Sequence, residues 1–219
     1  MSANSCNVVV LISGNGSNLQ ALIDQSENRG YRVAGVVCND PAAFGLQRAA
    51  KAGVPAVIVE HRDFPDRETF DHALLEAIDA FAPDLIALAG FMRILGPAFV
   101  QEQAGRILNI HPSLLPKYTG MHTHRRVLEA GEREHGVSIH FVNEELDGGP
   151  IVARSRIAVR EEDDEESLTG RVHRLEHDLY PRVTGWFATG RLRLRDDGVY
   201  LDGNRLPATG IEEPAPTGV

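Results

Sequence analysis

Asn109 and His111 stand two residues apart in the sequence Asn-Ile-His-Pro, at the end of an apolar segment that covers residues 107–110. The apolar segment predicts a strand, in which residues two apart project to the same face, and Pro112 ends it. An amide can donate a hydrogen bond to an oxyanion, and an imidazole can donate or relay protons near neutral pH. The pair is therefore suited to acyl transfer to an amine, which forms a tetrahedral oxyanion and moves protons.

Asp147 is the carboxylate that could assist this pair, and it begins the Asp-Gly-Gly-Pro turn at residues 147–150. A carboxylate beside an imidazole favours the imidazolium form. An aspartate in such a turn can equally bond to its own backbone. The convergence of Asn109, His111 and Asp147 is therefore a hypothesis for the tertiary structure to test.

A glycine-containing loop at residues 14–18, Gly-Asn-Gly-Ser-Asn, separates the first predicted strand from the first predicted helix. Glycine lets the backbone turn tightly, and the start of a helix offers free N–H groups to an anion. Leu19 stands where a dinucleotide-binding loop has its third glycine, and no Gly-Lys-Ser/Thr follows as in a P-loop. We interpret Gly16, Ser17 and Asn18 as a phosphate-binding turn, with a plain tight turn as the alternative.

Predicted strands and helices alternate along the first half of the chain. The strands cover residues 8–12, 33–38, 56–59, 85–89 and 107–110, and the helices cover residues 17–28, 44–52, 70–81 and 97–103. This alternation predicts an α/β fold with a doubly wound, mostly parallel sheet. Such sheets bind ligands at the carboxyl ends of their strands, where both the phosphate-binding turn and Asn109 would lie.

The second half has a different pattern. Two strands at residues 137–142 and 151–159 precede a long helix whose apolar stripe runs from Leu168 to Trp186, and a hairpin follows around residues 197–198. An acidic segment at residues 161–166 suits the start of that helix. We expect one domain over residues 1–207 and a disordered tail over residues 208–219, which are rich in Pro, Gly and Glu.

The composition restricts the partners. The 219 residues are 42% hydrophobic and carry a net charge of −9, which disfavours binding to the phosphate backbone of a nucleic acid. No apolar segment is long enough to span a membrane, and residues 8–12 are too short for the core of a signal peptide. We expect a cytoplasmic protein that acts on small molecules as a monomer or homodimer, with Cys6 and Cys38 as free thiols.

Four segments together resemble the folate-dependent phosphoribosylglycinamide formyltransferases: residues 14–18, 91–95, 109–117 and 145–150. The resemblance extends from about residue 7 to residue 207. The His-Pro-Ser-Leu-Leu-Pro and Asp-Gly-Gly-Pro elements belong to the wider formyltransferase superfamily, whereas the other two segments are more specific to the glycinamide branch. The resemblance implies a formyltransferase-like fold with a Rossmann-type N-terminal half, and transfer of a formyl group from 10-formyltetrahydrofolate to an amine of glycinamide ribonucleotide.

The resemblance also implies a role for each residue of the site. Asn109, His111 and Asp147 would be catalytic, and Ser138 and Glu176 would lie at the glycinamide substrate with the phosphate-binding turn. The folate would meet Arg67, Asn109 and two loop segments, which are Met92, Arg93, Ile94 and Leu95 on one side and Asn143, Glu144, Glu145 and Leu146 on the other. Judged from the residues alone, Arg67 and Glu176 would be surface charges.

One segment departs from the family pattern. Where the family usually reads Pro-Gly-Leu-His, this chain has Thr119-Gly120-Met121-His122. Because proline restricts φ and threonine does not, we expect a more mobile loop at this point.

Several other interpretations are open to the sequence. His173, Glu176 and His177 match an inverted zincin pattern, but no third ligand follows, so we predict no metal, and His122, His124, His135 and His140 are interpreted as loop and strand residues. A methionyl-tRNA formyltransferase would have an extra C-terminal domain, and a formyltetrahydrofolate hydrolase would have an extra N-terminal one. A dinucleotide dehydrogenase would have a third glycine in the loop, which this chain lacks. A non-catalytic nucleotide-binding module would leave His111 and Asp147 without roles.

Overall fold

A computed structural model describes residues 5–219 and contains eleven strands and six α-helices within that range. The first four residues of the predicted domain lie outside the described residues. In chain order the elements are β1 (Cys6–Ile12), α1 (Ser17–Gln25), β2 (Tyr31–Cys38), α2 (Gly45–Lys51), β3 (Ala56–Ile58), α3 (Arg67–Asp79), β4 (Leu85–Leu88), α4 (Pro97–Glu102), β5 (Ile107–His111), α5 (Thr123–Glu129), β6 (Glu134–Phe141), β7 (Ile151–Ala158), α6 (Glu165–Ala188), β8 (Leu192–Arg195), β9 (Gly198–Leu201), β10 (Asn204–Arg205) and β11 (Ile211–Glu212).

Eight of the strands form one sheet in the order β11-β7-β6-β5-β4-β1-β2-β3, and β8, β9 and β10 form a small second sheet. Five neighbouring strands are parallel to one another, in the sheet order β5-β4-β1-β2-β3, whereas β6 runs antiparallel to both β5 and β7. The connections within the parallel part contain helices, as parallel pairing requires. The predicted α/β class with a mostly parallel sheet is confirmed.

Apolar side chains cover both faces of the main sheet. In β1, Val8, Val10 and Ile12 belong to one core cluster, and Val9 and Leu11 belong to another on the opposite face. Helices α1, α2, α5 and α6 contribute to the first cluster, while α3 and α4 contribute to the second. Burial on both faces explains why β1 is a continuous apolar segment rather than an alternating one.

Helix α6 is the longest, and two features determine its position. Asp164 begins it with a capping box, in which the Asp164 carboxylate accepts from the Ser167 N–H and the Ser167 hydroxyl bonds to the Asp164 N–H. The buried Tyr180 hydroxyl lies 3.0 and 2.9 Å from the carbonyl oxygens of Leu88 and Leu108. These contacts hold the helix against β4 and β5.

Two parts of the fold differ from the sequence prediction. Helix α5 was not expected, because its only two apolar residues are adjacent and give no helical pattern; its buried residues are Thr123 and Val127. The tail expected to be disordered contains β11, which pairs with β7 in parallel. Glu212 of that strand bonds to Arg154 and Arg156. The composition of the tail could not indicate partners that lie more than fifty residues earlier.

No helix within residues 5–219 is both long and apolar enough to cross a membrane.

Candidate active site

Asn109, His111 and Asp147 meet at one edge of the main sheet. Asn109 and His111 end β5, and Asp147 stands in the turn before β7 with a φ of 54°. His111 Nδ1 lies 3.4 Å from Asp147 Oδ2, and Asn109 Nδ2 lies 3.5 Å from Asp147 Oδ1. The His111 and Asp147 side chains are only 8% and 7% exposed, so the electrostatic contact between them is weakly screened.

A hydrogen-bond acceptor faces each ring nitrogen of His111. Nε2 lies 2.8 Å from the Tyr118 carbonyl oxygen, which can only accept a hydrogen bond. Nδ1 faces the Asp147 carboxylate, which is also an acceptor. With an acceptor at each nitrogen, the imidazolium form satisfies both contacts.

His140 positions the Asn109 amide and was interpreted from the sequence as an ordinary strand residue. Its Nδ1 lies 2.9 Å from the Phe141 carbonyl oxygen and therefore donates, so Nε2 accepts from Asn109 Nδ2 at 3.1 Å. Burial lowers the pKa of His140, which keeps the ring neutral. One Asn109 N–H is thus directed by His140, and the other makes only the long contact to Asp147 and can turn to a substrate oxygen.

Strand pairing is the signal that could have identified His140. It is the register partner of Asn109 across β5 and β6, and cross-strand partners project to the same face. The sequence alone does not contain this register.

The loop after β5 covers the cluster of Asn109, His111 and Asp147. The Gly120 N–H donates to Asp147 Oδ2 at 2.8 Å, and Tyr118 supplies the carbonyl at His111. Arg126 donates to the carbonyl oxygen of Thr119 at 2.7 Å. The segment that departs from the family pattern is therefore bonded on both sides in this conformation, and access of a substrate to His111 Nε2 requires the Tyr118 carbonyl to move.

The glycine-containing turn leaves the first N–H groups of α1 available. Gly16 precedes the helix with a φ of 74°, and no side chain caps the helix start. A Cβ on Gly16 would lie 2.7 Å from the Gly45 Cα, so only glycine fits there. Arg48 donates to the Asn15 carbonyl oxygen at 2.9 Å and steadies the turn. The combination of free N–H groups and a positive helix end suits a phosphate.

Glu176 is buried rather than exposed. Asn18 Nδ2 donates to its Oε2 at 2.9 Å, and burial raises the pKa of Glu176 to about 7 while this hydrogen bond opposes the rise. Asn18 Oδ1 and His177 Nε2 are also buried, and neither has a hydrogen-bond partner within the described part of the chain. Unsatisfied buried polar atoms beside a phosphate-binding turn are typical of a site that awaits a polar ligand.

Exposed apolar side chains lie on the two segments expected to hold the folate. Met92 and Ile94 are 66% and 55% exposed, and Leu146 is 57% exposed. The Met92 N–H donates to the Ser13 hydroxyl oxygen at 2.7 Å, which ties the first segment to the residue before the phosphate-binding turn. The exposed groups could cover a flat aromatic ring.

The remaining residues of these segments are polar or anchor the backbone. Arg93 is exposed, and Leu95 is buried. Asn143 Oδ1 accepts from the Glu145 N–H at 3.0 Å, and Glu144 Oε1 accepts from Gln101 at 2.6 Å.

Comparison with known proteins identifies the family. The model of the family described as formyl transferase matches residues 6–184. Phosphoribosylglycinamide formyltransferase of Escherichia coli is 52% identical over 206 residues, which are 93% of this chain and 97% of that protein. The chain belongs to the phosphoribosylglycinamide formyltransferase family. Among solved structures, the formyltransferase of Coxiella burnetii matches with a TM-score of 0.93 and 48% identity, over 96% of this chain and all of that one.

The same family also occurs within larger proteins. The trifunctional purine biosynthetic protein adenosine-3 of Drosophila melanogaster is 47% identical over 187 residues, which are 84% of this chain but only 14% of that protein.

Two residues of this formyltransferase are placed differently from the rest of the site. Arg67 is exposed at the start of α3, close to Gly96 at the end of the first folate segment, and lines a cavity of about 760 Å³ between α3 and α4. Ser138 is fully buried. Its hydroxyl donates to the Ser113 carbonyl oxygen and accepts from the Leu115 N–H, so it supports the loop after His111.

The two histidines of the inverted zincin pattern lie side by side on α6. The rings of His173 and His177 stack with centroids 6.0 Å apart. Within residues 5–219, no three histidine, cysteine or acidic side chains come together in a way that could hold a metal ion.

Proposed function

We propose that the protein transfers the formyl group of 10-formyltetrahydrofolate to the amine of 5'-phosphoribosylglycinamide, in purine biosynthesis. The observation that carries the proposal is the buried cluster of Asn109, His111 and Asp147 at the sheet edge that also carries the phosphate-binding turn. Its relatives in Escherichia coli and Haemophilus influenzae are phosphoribosylglycinamide formyltransferases, which supports the same reaction.

In the proposed mechanism the amine attacks the formyl carbon directly. A C–N bond forms to the substrate amine, and the formyl oxygen becomes an oxyanion. The free Asn109 N–H and the His111 imidazolium stabilise that oxyanion, as preorganised donors in a buried site do. The bond from the formyl carbon to N10 of the folate then breaks, and a proton from the amine reaches N10 through His111 or a water held by Asp147.

Among the described residues, the two cysteines and the serine that follows Pro112 lack the features of an activated nucleophile. Burial raises the pKa of the Cys6 thiol to about 11 and also raises that of Cys38, so both stay protonated near neutral pH. The Ser113 hydroxyl donates to the Lys117 carbonyl oxygen at 2.7 Å within the loop. Direct transfer is the mechanism that these side chains support.

Substrate binding is assigned to both sides of the catalytic cluster. The N–H groups at Gly16, Ser17 and Asn18 would hold the phosphate, and Glu176 would accept a hydrogen bond from the glycinamide part. The folate would lie between the segment at residues 92–95 and the segment at residues 143–146, with Arg67 beside the first. In the Asp-Gly-Gly-Pro turn that follows the second segment, glycine is needed at position 149 because a Cβ there would lie 1.8 Å from the Phe141 carbonyl oxygen.

A donor assay with and without acceptor tests the proposal. The protein is incubated with 10-formyltetrahydrofolate, and tetrahydrofolate release and formylated product are followed. We expect release only when 5'-phosphoribosylglycinamide is present, in a ratio of one product per tetrahydrofolate. Equal release without acceptor would identify a hydrolase, and no release in either case would contradict formyl transfer altogether.

A further inference from the structure

Four residues on four adjacent strands form a row that starts at His111 and ends at the C-terminal strand. His111 of β5 pairs with Ser138 of β6, Ser138 pairs with Arg154 of β7, and Arg154 pairs with Glu212 of β11. Register partners on neighbouring strands project to the same face of a sheet. The row therefore runs from the catalytic histidine to the outermost strand, β11, through side chains that lie on one face of the sheet.

The two middle residues of the row bond to the loop that follows His111. The Ser138 hydroxyl donates to the Ser113 carbonyl oxygen at 2.7 Å and accepts from the Leu115 N–H at 3.0 Å. Arg154 Nη1 donates to the Leu115 carbonyl oxygen at 3.1 Å. Both backbone polar groups of Leu115 are thus held by this row, four residues after His111.

Glu212 holds the Arg154 guanidinium in place. Glu212 Oε1 lies 2.6 Å from Arg154 Nη2, and the Arg154 side chain is only 14% exposed. The Glu213 N–H also donates to the Arg154 carbonyl oxygen at 2.8 Å, so β11 bonds to both the side chain and the backbone of this residue. A charge-assisted contact of this length restricts the guanidinium more than a neutral hydrogen bond would.

We propose that Arg154 and Glu212 are positioning residues for catalysis, and that the C-terminal strand β11 is part of the catalytic apparatus. Arg154 fixes the backbone at Leu115, at the base of the loop that follows His111, and so holds the end of β5 in place while the Tyr118 carbonyl moves aside for a substrate. A displacement of about 1 Å in a catalytic group can lower a rate by about 10²-fold. This inference rests on the proposed function for the role of His111, but the geometry that it concerns can be measured without the reaction.

Arg156 provides a matched control on the same strand. Its guanidinium bonds to the same carboxylate, with Nε and Nη2 at 3.0 and 2.9 Å from Glu212, and its Nη1 bonds to Glu134. It pairs in register with Gly136, and its side chain bonds to these two surface acids. Replacing it removes a guanidinium from Glu212 but leaves the Arg154–Leu115 bond intact.

The experiment compares Arg154→Gln with Arg156→Gln in the full chain. For Arg154→Gln we expect kcat to fall about 10-fold while each KM changes less than about twofold, since the groups that bind substrate are untouched. We also expect amide hydrogen exchange in residues 113–118 to accelerate about 10-fold, because the loop loses an anchor. Arg156→Gln should change neither, and Arg154→Lys, which can still donate to Leu115, should recover part of kcat.

The outcomes separate this inference from the proposed function. If exchange and kcat in Arg154→Gln match Arg156→Gln, the positioning role is refuted. If exchange in the loop accelerates but His111→Asn retains full turnover, the role of His111 fails while the loop anchor stands. Should Arg154→Gln not fold, Glu212→Gln tests the same row with a smaller change, and an unaltered loop exchange and kcat there would refute the proposal.

Discussion

Replacing Asp147 with asparagine removes one negative charge from the catalytic cluster with little change of shape. The asparagine oxygen can still accept from the Gly120 N–H, which now donates to Asp147 Oδ2 at 2.8 Å. The loop over the site therefore keeps its anchor. What is lost is the attraction between the carboxylate and a positively charged His111, whose Nδ1 lies 3.4 Å away.

The size of the effect follows from that distance and from the burial of both side chains. Coulomb's law for two unit charges at this separation gives about 1 kcal/mol in a water-like medium and about 5 kcal/mol at an effective dielectric constant of about 20. The imidazolium stabilises the oxyanion only while it stays charged, so a loss of about 3 kcal/mol in transition-state stabilisation corresponds to roughly a 10²-fold lower kcat.

The assay is steady-state formyl transfer with both substrates varied. We expect Asp147→Asn to lower kcat about 10²-fold and to change the KM for 10-formyltetrahydrofolate less than about threefold, because Asp147 contributes to charge stabilisation rather than to folate contacts. Glu129→Gln, which removes an exposed charge from the end of α5, should behave as the unaltered protein. An effect of Asp147→Asn confined to KM, with kcat preserved, would refute the reasoning.

Four further changes have defined outcomes. His111→Ala should lower kcat about 10²-fold or more, and near-normal turnover would contradict its assignment. Gly16→Ala, at a φ of 74°, should raise the KM for the phosphorylated substrate but leave that for the folate, as kinetics with each substrate varied would show. Burial raises the pKa of Glu176 to about 7, so between the ordinary pKa of a glutamate and this value the folded protein binds one more proton than the unfolded chain. The free energy of unfolding therefore falls as pH rises through this interval. Glu176→Gln should flatten this pH dependence in denaturant titrations. Burial lowers the pKa values of His124 and His135 to about 4, so stability should decline as pH falls from about 6.5 toward 4, and His135→Gln should weaken the decline in thermal melts.

Short-range patterns were sufficient for much of the fold. The two-sided burial of β1 and the helical spacing in α3 are encoded within a few consecutive residues, so both elements could be predicted where the structure has them. The pairing of Asn109 and His111 on one face also follows from a strand period of two. Helix α5 could not be predicted, because its only two apolar residues, Val127 and Leu128, are adjacent and show no helical spacing. The two residues of β11 are too few to have a period.

Some residues of the site could be recognised from the sequence, and others could not. The residue types of the catalytic trio and of the phosphate-binding turn can be recognised along the chain. The contact between Asp147 and His111 could not be predicted from spacing, since the two residues lie 36 positions apart in the sequence. Glu176 was indistinguishable from a surface charge, because its burial depends on how α6 packs against α1.

Residue types, local periodicity and turn chemistry were therefore contained in the sequence, and they indicate an α/β formyltransferase with an amide, an imidazole and an anion-binding turn. The tertiary structure alone decided the neutral state of His140, the elevated pKa of Glu176 and the row from His111 to Glu212. The physical reason is that burial, strand register and cross-strand partners arise only when distant segments pack together. Each of them changes the charge or the mobility of a side chain, which the residue type alone does not determine.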